Sequence, residues 1–222
     1  MGLDIYFHHT TVKFNGDETN SEDFSKFCED VNKLAKKTAA EKFEKLLAPL
    51  RAAWEQLQLL DNDYRRNIYN ERYFTFVEKA RPIICLNGYD WLLHPYTKRV
   101  IDLPELEGML KVTVDGYYEP YDAYFRKVNF LFKYYEDRGK MHDQYYAFTD
   151  ASDIDDIIDR CERVLKNNKL AHELLPTQSG FFFGGTDYGM GYFDDVKDCL
   201  QQMKKYRKLL KDGVTGYVIF SW

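Results

Sequence analysis

The sequence predicts an α+β fold, a compact mixed sheet with helices packed on it, because two hydrophobic periods recur along the chain. Residues 3–8 alternate, with Leu3, Ile5 and Phe7 on one face and Asp4, Tyr6 and His8 on the other, which is the period of a half-buried strand. Several later stretches instead carry apolar residues three and four apart, the period of an amphipathic helix.

Taken in order, the strand at 3–8 is followed by a turn-rich segment at 13–20, and Ser21 is the expected N-cap of a helix with acidic residues in its first turn. Helical spacing runs over 22–60 through Phe24, Phe27, Val31 and Leu34, then Phe43, Leu46, Leu47, Leu50, Trp54 and Leu57. Pro49 lacks an amide proton and clashes with the preceding turn, so the pattern predicts two helical pieces or one kinked rod. Between 61 and 110 the strand-like runs 73–77 and 83–86, with the run 110–114 at the end and turn signals at Asn87-Gly88 and Asp115-Gly116, predict β-structure.

Helical spacing returns at 121–136 through Tyr124, Val128, Leu131, Phe132 and Tyr135. Asp150 or Ser152 then caps a helix to about residue 167 with Ile154, Ile157, Ile158, Cys161, Val164 and Leu165 on its apolar face. The apolar run 181–183 reads as a strand, 192–211 as a helix ending in basic residues that complement its dipole, and 217–220 as a closing strand. The strands at 3–8, 181–183 and 217–220 are expected to share the sheet, with helices 121–136, 152–167 and 192–211 packed on it.

Composition narrows function mainly by exclusion. The 222 residues carry a net charge of −5, which argues against generic affinity for nucleic acid. No run approaches the roughly 18 apolar residues of a membrane span, and the opening residues lack the basic and apolar regions of a signal peptide. A cytoplasmic protein is the expectation. Cys28, Cys85, Cys161 and Cys199 lack paired spacing for zinc or redox chemistry. Aromatic residues make up 17% of the chain; they serve either a ring-built core or a surface for binding.

No common catalytic motif is present, and no catalytic residue, metal site or cofactor is assigned. His8 and His9 are neighbours, so a strand points them to opposite faces. The acidic cluster at 150–159 fails as a calcium loop, since Asp155 stands where glycine is needed and Cys161 where glutamate is needed.

Two segments carry candidate ligand-binding residues. On the predicted helix, Arg126, Lys127 and Asn129 lie close together, and Arg126 and Asn129 are spaced to face one anionic or amide ligand. The alternative is an Arg126 paired with a structural carboxylate such as Asp4, beside a solvated lysine. In the second segment Gln178, Ser179, Gly180 and Thr186 surround an aromatic run with glycines that permit close backbone approach. A tight loop satisfying its own backbone has the same composition.

The MGLD at 1–4, YFRKVN at 124–129, LLPTQSGFFFG at 174–184, TDY at 186–188 and the terminal Ser221-Trp222 resemble a family of uncharacterised phage and prophage proteins. The resemblance covers the first few residues and most of 117–222. Family members are shorter, which implies a core domain of 1–12 and 111–222 interrupted by an insertion at 13–110, helical over 22–60 and β-containing over 61–110. The chain departs from the family pattern at Phe132, where a histidine is usual, and at Gly189-Met190-Gly191, where acidic residues are usual. Those losses tilt the expectation away from an enzyme that depends on them. They favour a phage-encoded accessory protein that binds a host protein or a small anionic signalling ligand, antagonising host defence. The alternatives are an enzyme acting on a nucleotide or other phosphorylated small molecule, and a virion or assembly component.

Overall fold

A computed structural model describes residues 2–58, 64–84, 103–104, 107–108 and 121–222. The fold is α+β, and the chain divides into two compact units, Met1–Cys28 with Tyr121–Trp222, and Glu29–Pro120.

The first unit is built on a four-stranded antiparallel sheet of β1 (Asp4–Thr10), β2 (Ala123–Arg126), β3 (Tyr146–Thr149) and β4 (Thr215–Ser221), in the order β2-β1-β4-β3. The register aligns Asp4 with Arg126 and Ser221, and Tyr6 with Tyr124 and Ile219. Alternation therefore sends Ile5, Phe7, Phe125, Val218 and Phe220 to one face, where all are buried.

Helices α3 (Asn129–Asp137), α4 (Ala151–Lys166) and α6 (Met190–Tyr206) contribute to the same core. In α4 the buried stripe is Ile154, Ile157, Cys161 and Val164, and in α6 it is Val196, Cys199, Met203 and Tyr206. The 3-4-3 spacing is the same in both, so each helix offers one continuous apolar stripe; burying a side chain such as Ile154 contributes about 2 kcal/mol. Asp150 is the N-cap of α4: its carboxylate accepts from the amides of Ser152 and Asp153, and the Asp153 side chain returns the bond to the cap amide. A 3-10 turn at Asn168–Leu170 and the short α5 (Ala171–Leu174) lead to the loop before α6.

Half of the sheet's other face is covered by rings. Phe24 stacks on Tyr146 at 3.7 Å, Phe27 meets Tyr217 edge-on at 5.3 Å, and Phe14 lies 4.5 Å from Phe148. Residues 13–28, read from the sequence as part of an insertion, group with the sheet for this reason.

The second unit holds most of α1 (Ser21–Gln58), together with α2 (Tyr64–Ile84). Phe43, Leu47 and Leu50 share a separate apolar cluster with Tyr69, Tyr73 and Phe76. Arg51 bridges Glu44 and Glu107.

Several expectations are corrected. Residues 123–126 form a strand rather than the start of a helix, since Ala123 and Phe125 are buried against the core while Tyr124 and Arg126 point away. Residues 181–183 are not a strand: Phe183 is buried, Phe181 is 96% exposed, and the segment turns between them. Residues 73–77 lie within α2, where the burial of Tyr73, Phe76, Val77 and Ala80 follows the helical repeat. Of the two readings of 22–60, the two separate pieces are overturned: helix α1 is one rod that runs through Pro49, and the loss of one backbone bond is offset by burial of Leu47 and Leu50 on either side. Its cap is Asn20, not Ser21, because the Asn20 side chain accepts from the Glu22 amide at 2.9 Å. The last helix stops at Tyr206. Residues 83–84 also belong to α2 rather than to a strand, and residues 85–88 and 110–116 lie outside the described residues. Among the described residues no helix is long and apolar enough to cross a membrane.

Candidate functional site

The candidate residues meet where β2 turns into α3. Arg126 ends the strand, and Lys127 takes a left-handed backbone conformation, φ +62°. A non-glycine residue there costs on the order of 1 kcal/mol or more, so its surroundings must hold it. The Lys127 amide donates to the Leu3 carbonyl at 2.6 Å, and the Asn129 amide donates back to the Lys127 carbonyl at 3.0 Å. Gly184, itself at φ +90°, lies against the lysine stem: a Cβ placed on it would sit 3.1 Å from Lys127 Cβ.

Asn129 fastens the loop between α5 and α6 to this turn. Only 3% exposed, it donates through Nδ2 to the carbonyls of Phe183 at 3.2 Å and Gly185 at 2.9 Å, and its Oδ1 accepts from the Gln178 amide at 3.4 Å. The Leu3 amide donates to the Phe182 carbonyl, and Thr177 Oγ1 donates to the Thr186 carbonyl. Phe132 packs on Phe183 at 4.7 Å and on Trp222 at 5.5 Å.

The result sorts the sequence-predicted residues. Asp4, Arg126 and Lys127 are brought together, with Gly2 beneath the two cations: a Cβ there would lie 3.2 Å from Lys127 Cε and 3.6 Å from an Arg126 guanidinium nitrogen. Asn129 does not share a ligand face with Arg126; it points inward, because Arg126 belongs to a strand and Asn129 opens a helix. Ser179, Gly180 and Thr186 are exposed on the loop, and Gln178 Oε1 is buried with no hydrogen-bond partner among the described residues.

Arg126 is not neutralised by Asp4. The Asp4 carboxylate accepts instead from the Tyr124 hydroxyl at 2.5 Å, and among the described residues neither Arg126 nor Lys127 forms an ion pair. Asp4, Arg126 and Lys127 together leave one excess positive charge at this corner of a chain whose net charge is −5.

Beside the cations lies a feature that sequence reasoning missed. Tyr6, Tyr121 and Tyr124 form a three-ring cluster with centroids 5.3 to 5.5 Å apart. Tyr121 is 51% exposed. The hydrogen bond to Asp4, then burial, raises the pKa of Tyr124; burial, then the Asp4 charge, raises that of Tyr6. Both hydroxyls are protonated at neutral pH. The alternation of β1 signals that Tyr6 shares a face with Asp4, but Tyr124 joins them only through a pairing that a helical reading of 121–136 conceals.

Elsewhere, His9 Nδ1 lies 2.7 Å from Asp122 Oδ2. His8 faces the other way, stacked 4.9 Å from the Tyr217 ring, and burial pushes its pKa down to about 4. A cleft of about 600 Å³ opens near Lys140, Thr149 and Asp153. Within its lining Lys140 pairs with Asp153 at 2.6 Å, and the Thr149 hydroxyl accepts from Tyr135 at 2.8 Å. Among the described residues no group of His, Cys, Asp or Glu gathers to hold a metal ion. Comparison of the chain with protein-family models, curated proteins and solved structures returned no match.

Proposed function

We propose that the protein binds a small anionic ligand through Arg126 and Lys127. The observation that carries this reading is the pair of adjacent cations without a carboxylate partner among the described residues, one of them held at φ +62° by contacts from Leu3 and Gly184. A backbone strained at a long cationic residue is a cost that a purely structural turn avoids by using glycine. Arg126 supplies a planar fork suited to phosphate or carboxylate, and Lys127 a mobile point charge. In the phage setting that the resemblance implies, such a protein withholds a signalling anion from host defence.

An enzymatic reading has less support. The His9–Asp122 pair is the closest approach to an acid–base couple described above, and His9 lies five residues along β1 from Asp4, about 17 Å away. A group at that distance does not reach a ligand held by Arg126. A host protein as the ligand is favoured by a different observation, the 96% exposure of Phe181 on the loop and the 85% exposure of Met190.

Native mass spectrometry of the protein from phage-infected host cells separates the two. A small adduct that disappears in Arg126→Ala supports the anion site. A protein adduct that survives Arg126→Ala and disappears in Phe181→Ala replaces it.

A further inference from the structure

We infer that the anionic ligand is a nucleotide, its base lying on Tyr6, Tyr121 and Tyr124 and its phosphates on Arg126 and Lys127; this rests on the anion-binding reading above. The sheet register carries the argument. Tyr124 and Arg126 are alternate residues of β2, and Tyr6 and Asp4 are their partners on β1. All four therefore emerge on the same face, with the aromatic pair one pleat repeat, about 7 Å, from the charged pair.

Along that face the chemistry changes from aromatic to charged. Three tilted rings present π-surface at one end, and base–aromatic stacking accepts any base. One pleat repeat on, the Asp4 carboxylate and Arg126 stand side by side, with Asp4 Oδ1 receiving the Tyr124 hydroxyl and lone pairs remaining for a sugar hydroxyl. Arg126 and Lys127 lie there over Gly2, whose missing side chain leaves them room.

The ring cluster is open to solvent, while the other half of the same face is closed by Phe24 and Phe27 over Tyr146 and Tyr217. Rings with centroids 5.3 to 5.5 Å apart leave no gap for a caged ammonium group, and the neighbouring guanidinium repels one. A free nucleotide fits better than a polynucleotide, because the basic excess is confined to one corner of a chain of net charge −5.

Calorimetric titration of the full chain tests this, using the four common nucleoside 5′-diphosphates with pyrophosphate and ribose 5-phosphate as base-free probes. At least one nucleoside diphosphate is expected to bind about tenfold or more tightly than either probe. Tyr121→Ala should erase that advantage while leaving pyrophosphate affinity unchanged, and Arg126→Ala should weaken every ligand. Because Tyr121 is exposed, an unchanged thermal midpoint is expected for its variant. Equal binding of pyrophosphate and nucleotides, or an advantage that survives Tyr121→Ala, overturns the base platform and leaves the anion site standing. If pyrophosphate and all the nucleotides fail to bind, both readings fall. Tighter binding of a single-stranded decamer than of any diphosphate overturns the free nucleotide in favour of a polymer.

Discussion

Asn129 donates from Nδ2 to the carbonyl oxygen of Gly185 at 2.9 Å, which ties the first residue of α3 to a loop more than fifty residues later. The same carboxamide reaches Phe183 and Gln178, so one buried side chain satisfies three backbone groups. Asn129→Leu leaves them without that partner and is expected to cost roughly 1–3 kcal/mol. Equilibrium denaturation should register the loss, and limited proteolysis should show new cleavage between 178 and 186.

Gly184 and Gly139 both have positive φ, but only Gly184 has a neighbour, Lys127 Cβ, within 3.1 Å of a new Cβ. Alanine at either position costs about 1 kcal/mol for the backbone conformation alone. Gly184→Ala should cost more than Gly139→Ala by the displacement of Lys127. It should also weaken binding of the anionic ligand, which Gly139→Ala leaves unchanged. Parallel thermal melts and titrations of the two variants check this.

Strand β2 lies at an edge of the sheet, and the Gln202 side chain takes the place of a fifth strand. Its Oε1 accepts from the Tyr124 amide at 3.1 Å, and its Nε2 donates to the Tyr124 carbonyl at 3.2 Å. Gln202→Leu exposes a donor and an acceptor that edge strands elsewhere protect. Faster amide exchange at Tyr124 is the expected result, together with a concentration-dependent rise in dimer by light scattering.

His8 gives the fold a pH dependence of definite sign. Burial is the main cause of its low pKa of about 4, reinforced by His9 and opposed by Asp122. A depressed histidine is protonated more readily in the unfolded chain, so stability falls as pH drops from 6.5 towards 4. The loss amounts to at most about 3 kcal/mol. Above pH 6.5 the contribution is fully present. His8→Phe, which keeps a ring against Tyr217, should flatten the slope over that window in urea titrations at pH 7, 5.5 and 4.5.

Legibility in the sequence followed the length of each periodic stretch. The alternation of Leu3, Ile5 and Phe7 marked β1, and the apolar stripe from Ile154 to Leu165 marked α4, with its cap narrowed to Asp150 or Ser152. Strand β2 has only Ala123 and Phe125 to show a period of two, and the following Val128 and Leu131 fit a helical stripe that runs backward through Tyr124. The three phenylalanines at 181–183 read as a strand because composition does not reveal that Phe181 is solvated. At the candidate site, Arg126 and Lys127 were legible as candidate cations for an anionic ligand, but on a helix rather than at the end of a strand. The inward turn of Asn129 was not, since it depends on a loop that arrives from Gln178 to Gly185.

The sheet's central pair, β1 and β4, aligns Asp4 with Ser221 and Thr10 with Thr215, and this sets a timetable for synthesis. Residues 29–120 leave the ribosome before β4 has been made. At about 5–20 residues per second, the apolar face of β1 waits roughly 10–40 s for its partner. During that interval Leu3, Ile5 and Phe7 have nothing from β4 to pack beside, and closure then spans nearly the whole chain. Such long-range pairing is intrinsically slow. A nascent chain halted before Thr215 therefore holds β1 against β2 alone, with the edge that takes β4 left open.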